Sequence, residues 1–98
     1  MDLEELTQRM HAFVRSKGWY GSDSIKPQTP KNLAVSLVLE ANEVLELFQW
    51  SDELDSQDEL ASELADVMLY LIQLASVSKI DLEKAVLSKL DENYDRKW

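Results

Sequence analysis

Apolar positions recur every three or four residues along most of this chain, and four such runs can be followed. In the first, Leu3, Leu6, Met10, Phe13 and Val14 fall on one face of a helix over residues 2–17. Asp2, Glu4 and Glu5 sit where the N-terminal dipole favours negative charge, and Gly18 supplies a stop. Thr29 followed by Pro30 reads as an N-cap with proline in the first turn. It opens a second helix to about residue 50, with a stripe of Leu33, Leu37, Ala41, Val44, Leu47 and Phe48. Ser56 with Glu59 three residues on has the form of a capping box and opens a third helix to about residue 78. Asp81 caps a fourth, which runs through Ala85, Val86, Leu87 and Leu90 towards Tyr94. The pattern predicts an all-α fold, a four-helix bundle in one domain spanning residues 1–98.

Between the first two helices, residues 18–30 read GWYGSDSIKPQTP and hold both glycines, both prolines and two aromatics. They predict a loop with anchoring side chains, long enough to suggest a functional role.

Acids break the apolar stripes in a repeated way. At about 100° per residue, Glu40 falls between Leu33 and Leu47, and Glu43 is displaced by roughly 60° towards Ser36 and Trp50. On the third helix Glu63 lies between Tyr70 and Leu74, and Asp66 is displaced by the same turn towards Gln73. Acids three apart are common on solvated helix faces, and Glu43 with Glu46 is such a pair, Glu46 turning away from the apolar arc. Two matched pairs inside two apolar runs are a different matter, because stripes that meet to build a core bring all four acids together. Four converging carboxylates in a partly desolvated site must take up protons or bind a cation. Oxygen-only ligands suit a hard ion, Mg²⁺ or Mn²⁺.

Composition narrows the partners. With 98 residues the chain buries only a modest core of its own, so association with copies of itself is expected. A net charge of −9 argues against a nucleic-acid polymer, and a phosphorylated ligand would need cations to bind here. There is no cysteine, hence no disulfide or thiol chemistry. The chain opens on an acidic amphipathic segment and shows no obvious bilayer-spanning run, so no membrane association and a cytoplasmic location are expected. A di-iron carboxylate bundle would want a Glu-x-x-His motif from two helices. The single histidine, His11, has no acid three residues before it and reads as a surface or packing residue.

The ordered set of EANE at 40–43 and ELAD at 63–66, with PKNLA at 30–34, ELFQW at 46–50 and ELADVMLYLIQLA at 63–75, resembles the all-α NTP pyrophosphohydrolases of the MazG-like superfamily. Within it the dCTP pyrophosphatase subgroup is the most similar. The likeness runs from about Phe13 to the tail, where residues 81–98 match the closing helix. It implies a MazG-like bundle completed by oligomerisation, as a homodimer or a dimer of dimers. It implies hydrolysis of a nucleoside triphosphate to monophosphate and pyrophosphate, in the house-cleaning of non-canonical or excess deoxynucleotides. Glu40, Glu43, Glu63 and Asp66 become Mg²⁺ ligands, with the general base unassigned among them.

The same resemblance makes Trp19, Trp50 and Tyr70 walls of a nucleobase pocket, and Lys89 and Asn93 the K-x-x-x-N of the last helix. Lys31 and Arg96 are further candidates to steady phosphates. Two positions depart from the subgroup. Gln28 stands where members carry a histidine before the proline, and Met10 stands where some carry one on the first helix, with His11 one residue off. Both bear on base or sugar recognition. A non-catalytic helical interaction module, or a divalent-cation binder on the same fold, is the alternative reading.

Overall fold

The computed structural model describes residues 1–98 as four helices without strands: α1 (Leu3–Ser16), α2 (Pro30–Glu46), α3 (Gln57–Val77) and α4 (Leu82–Asp95). Each begins on a side-chain cap. Asp2, Thr29, Ser56 and Asp81 accept hydrogen bonds from the backbone N–H of Glu5, Asn32, Glu59 and Lys84, each satisfying a donor that the first turn leaves unpaired. After α1, Gly18 takes φ 73°, the left-handed conformation that closes a helix without a Cβ penalty. After α3 the same geometry falls to Lys79, at φ 59°, and the Ile80 N–H turns back to the Ala75 carbonyl.

α2 stops at Glu46, a turn earlier than its apolar stripe predicts. The N–H groups of Leu47, Phe48 and Gln49 bond to the carbonyls three residues back, a tightened turn that unwinds the helix. Asp52, Glu53 and Asp55 follow, and continuing the helix would set these acids against the negative end of its dipole.

α3 is the spine, with α2 and α1 packed on it and α4 touching it only lightly. Met10 and Val14 of α1 bury against Ile72 of α3, ringed by Leu3, Leu6, Trp19, Tyr20 and Leu82. Leu33 of α2 and Ala75 of α3 are the other buried apolar residues. By length and apolarity α3 could cross a bilayer, its most apolar window having a mean hydropathy of 1.4, which corrects the expectation that no run is long enough. Only 17% of that window is buried in the single chain, and Leu64, Met68, Leu69 and Leu71 of α3 are exposed.

The chain on its own is open. Its radius of gyration is 15.9 Å, against roughly 13 Å for a compact domain of this length. Val35, Val38, Leu39 and Leu45 on α2 and Val86, Leu87 and Leu90 on α4 are exposed, leaving two apolar faces uncovered. No residue of α4 is buried. Ile72 is among the two most fully buried side chains, so Ile72→Ala should lower stability by about 2–5 kcal/mol, read from the midpoint of urea denaturation.

Candidate active site

Three of the four paired acids on α2 and α3 meet, Glu40, Glu43 and Glu63. One carboxylate oxygen from each of Glu40, Glu43 and Glu63 lies within 4.8 Å of the others. Glu40 and Glu63 are half-buried and Glu43 is exposed, so one acid per helix sits within the packed face and Glu43 at its rim. The Oε2 atoms of Glu40 and of Glu63 are buried without a hydrogen-bond partner. Such atoms are costly to leave unpaired, and a bound cation satisfies them without a protein donor. Desolvation first, then repulsion from Glu43 and Asp66, raises the pKa of Glu40. For Glu63 the largest cause is a hydrogen bond to Glu43, available when Glu63 is protonated, followed by desolvation and the neighbouring charges. Together they push it up to about 7.

Asp66 belongs to the same electrostatic group, since it raises both glutamates. It also lines a cavity of about 300 Å³ bounded by α1, the 18–30 loop and α3. Trp19, Gln28 and Tyr70 line that cavity with it, beside Met10, Phe13 and Leu69. The structure thus joins an acidic centre to an apolar, aromatic-walled cavity. Asp66, Tyr70 and Gln73 follow one another along one face of α3, at i, i+4 and i+7, which is what makes Asp66 the link.

Other residues singled out in the sequence lie elsewhere in the single chain. Trp50 stands beyond the end of α2, 90% exposed, and does not line the cavity. Its position follows from the early stop of α2. Lys31 is exposed in the first turn of α2. Lys89 is exposed and pairs with Glu92 of its own helix at 3.4 Å. Asn93 is half-buried, with its Oδ1 unpartnered. Arg96 stacks on the Trp98 ring, 4.1 Å from its centroid.

A hydrogen-bonded set that motif reading passed over runs behind the cavity. His11 contacts the Tyr20 hydroxyl through Nδ1 and the Ser76 hydroxyl through Nε2, each at 2.6 Å. Gln73 Nε2 donates to the Tyr20 hydroxyl at 3.2 Å and to Gln28 Oε1 at 2.8 Å. Desolvation, then the Arg15 charge, holds the His11 pKa below its ordinary value, so the ring packs as a neutral group. The one available signal was Gln73 itself, a polar residue on the apolar face of α3 in line with Asp66 and Tyr70.

Sequence and fold both have known relatives. Residues 28–97 match the MazG nucleotide pyrophosphohydrolase domain, and the chain belongs to that family. It is 36% identical to the dCTP pyrophosphatase 1 proteins of Rattus norvegicus and Homo sapiens over 104 aligned residues, 96% of this chain. The chain spans 58% of the length of those relatives. A crystal structure of a pyrophosphatase from Archaeoglobus fulgidus superposes with a TM-score of 0.79 at 38% identity, covering 93% of this chain and 87% of that one.

The acid cluster makes stability depend on pH in a defined direction. A carboxyl whose pKa is raised in the folded state holds its proton more tightly there than in the unfolded chain, so its contribution is fully present below about 4.5 and lost by about 7. In EDTA, the melting temperature should therefore fall as pH rises across that window, and Glu63→Gln should flatten the fall. Thermal melts at half-unit pH steps check both.

Proposed function

We propose that the chain is a Mg²⁺-dependent nucleoside triphosphate pyrophosphohydrolase, converting a (deoxy)nucleoside triphosphate and water to the monophosphate and pyrophosphate. The observation that carries this reading is the junction at Asp66 between a carboxylate cluster and a base-sized aromatic cavity. Acids alone describe a cation binder, and an aromatic cavity alone describes a small-molecule site. Joined, they suit a ligand with a polyanionic end and a flat apolar end.

Glu40, Glu43, Glu63 and Asp66 would hold the ion, and the buried, partnerless oxygens of Glu40 and Glu63 fit that role. When bound, Mg²⁺ offsets the charge of the triphosphate and polarises its phosphoryl oxygens. The chain's own part is to line up a water with the α-phosphorus and accept its proton on one of the four carboxylates. As the water oxygen bonds to the α-phosphorus, the bond from that phosphorus to the bridging oxygen breaks and pyrophosphate leaves. Trp19 and Tyr70 flank the base, where stacking contributes roughly 1–3 kcal/mol per aromatic face, and Gln28 stands on the same cavity wall.

Trp50, Lys31, Lys89 and Asn93 join the site through assembly in this reading. The uncovered apolar faces of α2 and α4 suit a second copy of the chain, as a homodimer or dimer of dimers, and covering them would bring such outlying side chains against a neighbour. In this reading the whole chain acts as one domain in a cytoplasmic house-cleaning role towards surplus or non-canonical deoxynucleotides, and the name of the dCTP pyrophosphatase 1 relatives supports dCTP and its analogues among them.

Three experiments test this. Product analysis on a panel of canonical and modified triphosphates should show monophosphate and pyrophosphate with Mg²⁺ and neither with excess EDTA. Glu43→Ala and Asp66→Ala should each abolish turnover while leaving the helical circular dichroism largely intact, and an active variant would remove that residue from the ion site. Light scattering after size exclusion should give two or four times the chain mass, and a monomer would leave Trp50 and Lys89 without a role.

A further inference from the structure

Gln73 is the most deeply buried polar side chain, 3% exposed, yet it lines the cavity. Nothing in the carboxylate chemistry uses it. A buried amide is retained at the expense of desolvation, so its orientation decides what it offers to whatever enters the cavity.

That orientation is set by a group that can only accept. The Lys26 carbonyl takes a hydrogen bond from Gln28 Nε2 at 2.6 Å, which fixes the Gln28 amide with its Oε1 pointing the other way. Gln28 Oε1 in turn takes its hydrogen bond from Gln73 Nε2, and the Tyr20 hydroxyl oxygen takes a second from the same nitrogen. Turning the Gln73 amide over would set two oxygens against each other. At the far end His11 Nδ1 meets the Tyr20 hydroxyl and Nε2 the Ser76 hydroxyl, and when Tyr20 donates to Nδ1 the Nε2–H is left to donate to Ser76. Every polarity in the chain agrees with neutral His11 in a single tautomer. With Nε2 committed twice, Oε1 is the atom of Gln73 left to a ligand.

We infer that Gln73 is a specificity-determining residue whose Oε1 accepts a hydrogen bond from an exocyclic amino group on the nucleobase, selecting amino-bearing bases (cytosine, adenine) over their oxo counterparts (uracil, hypoxanthine). This deepens the proposed activity and rests on it for the direction of the nucleotide, triphosphate at the acids and base in the cavity. An oxo group in that place would set its oxygen against Oε1, leaving two acceptors unpaired in a desolvated site. The Asp66 carboxylate, an acceptor on the same wall, lies seven residues earlier on α3, roughly 10 Å along the axis towards the carboxylate cluster. It is therefore set apart from the amide end of the cavity.

The test is equilibrium binding by calorimetry of two matched pairs of monophosphates, dCMP with dUMP and dAMP with dIMP, each pair differing in an amino against an oxo group. Wild-type protein should favour the amino member of at least one pair by roughly tenfold, and the pair that responds tells a pyrimidine site from a purine site. Gln73→Met should bring that ratio to within about twofold of unity. Gln28→Met keeps the Gln73 amide but frees it to turn over, and should erode the ratio as well, whereas a purely structural loss would weaken all four nucleotides together. Equal affinities within both pairs in the wild type, a preference for the oxo members, no binding of either amino nucleotide, or an unchanged ratio in folded Gln73→Met would each overturn the inference. Triphosphate hydrolysis that is indifferent to the amino group would overturn it while leaving the pyrophosphohydrolase reading intact. An amino preference in binding without any hydrolysis would do the reverse.

Discussion

Two carboxylate oxygens, one on Glu40 and one on Glu63, are buried where no protein donor reaches them, and the arrangement of this bundle follows from that. Each belongs to a helix with an apolar stripe, and packing α2 on α3 brings Glu40, Glu43 and Glu63 together. Desolvation and the neighbouring Glu43 and Asp66 raise the pKa of Glu40, and a hydrogen bond to Glu43, desolvation and the surrounding acids raise that of Glu63. A divalent cation resolves the same conflict at neutral pH by taking the place of bound protons. The metal-free bundle is thus destabilised at the place where its chemistry is proposed to occur, as pre-formed charged sites commonly are.

α3 carries this tension and also the features that give it direction. Along one face it presents Asp66, Tyr70 and Gln73, so an acid, an aromatic ring and an amide stand in a line from the ion site into the cavity. The opposite wall comes from α1 and from the loop, whose Trp19, Tyr20 and Gln28 are tied down by edge-to-face packing of Trp19 on Phe13 and by hydrogen bonds to α1 and α3. The loop furnishes both a ring and an amide to Gln73 of α3, more than 40 positions further along the chain. Family membership and the Archaeoglobus fulgidus structure show that this helical frame recurs, whereas the Gln28–Gln73 amide pair is read directly from this chain.

The openness of the single chain bears on how the site is completed. With few residues buried and apolar faces left on α2 and α4, most of the hydrophobic free energy that α4 could contribute is unrealised in one copy. Trp50 and Lys89 lie away from the cavity on exposed surface of the single chain.

Helix starts were legible in the sequence because Asp2, Thr29, Ser56 and Asp81 act on N–H groups three residues away. So were the acids, because angular position on a helix follows from spacing alone and two apolar stripes have to meet. The end of α2 was not, since apolar periodicity continues through Leu47 and Phe48 while the backbone has already tightened into a turn. Nor was the amide network, in which Gln28 and Gln73 are 45 positions apart and His11 and Ser76 are 65 apart. Caps and periodicity depend on neighbours within one helical turn, so the sequence by itself determined them. Which way the Gln73 amide faces depends on a backbone carbonyl at Lys26 and a hydroxyl at Tyr20 arriving from another segment, and only the packing of α1 and the loop against α3 decided that.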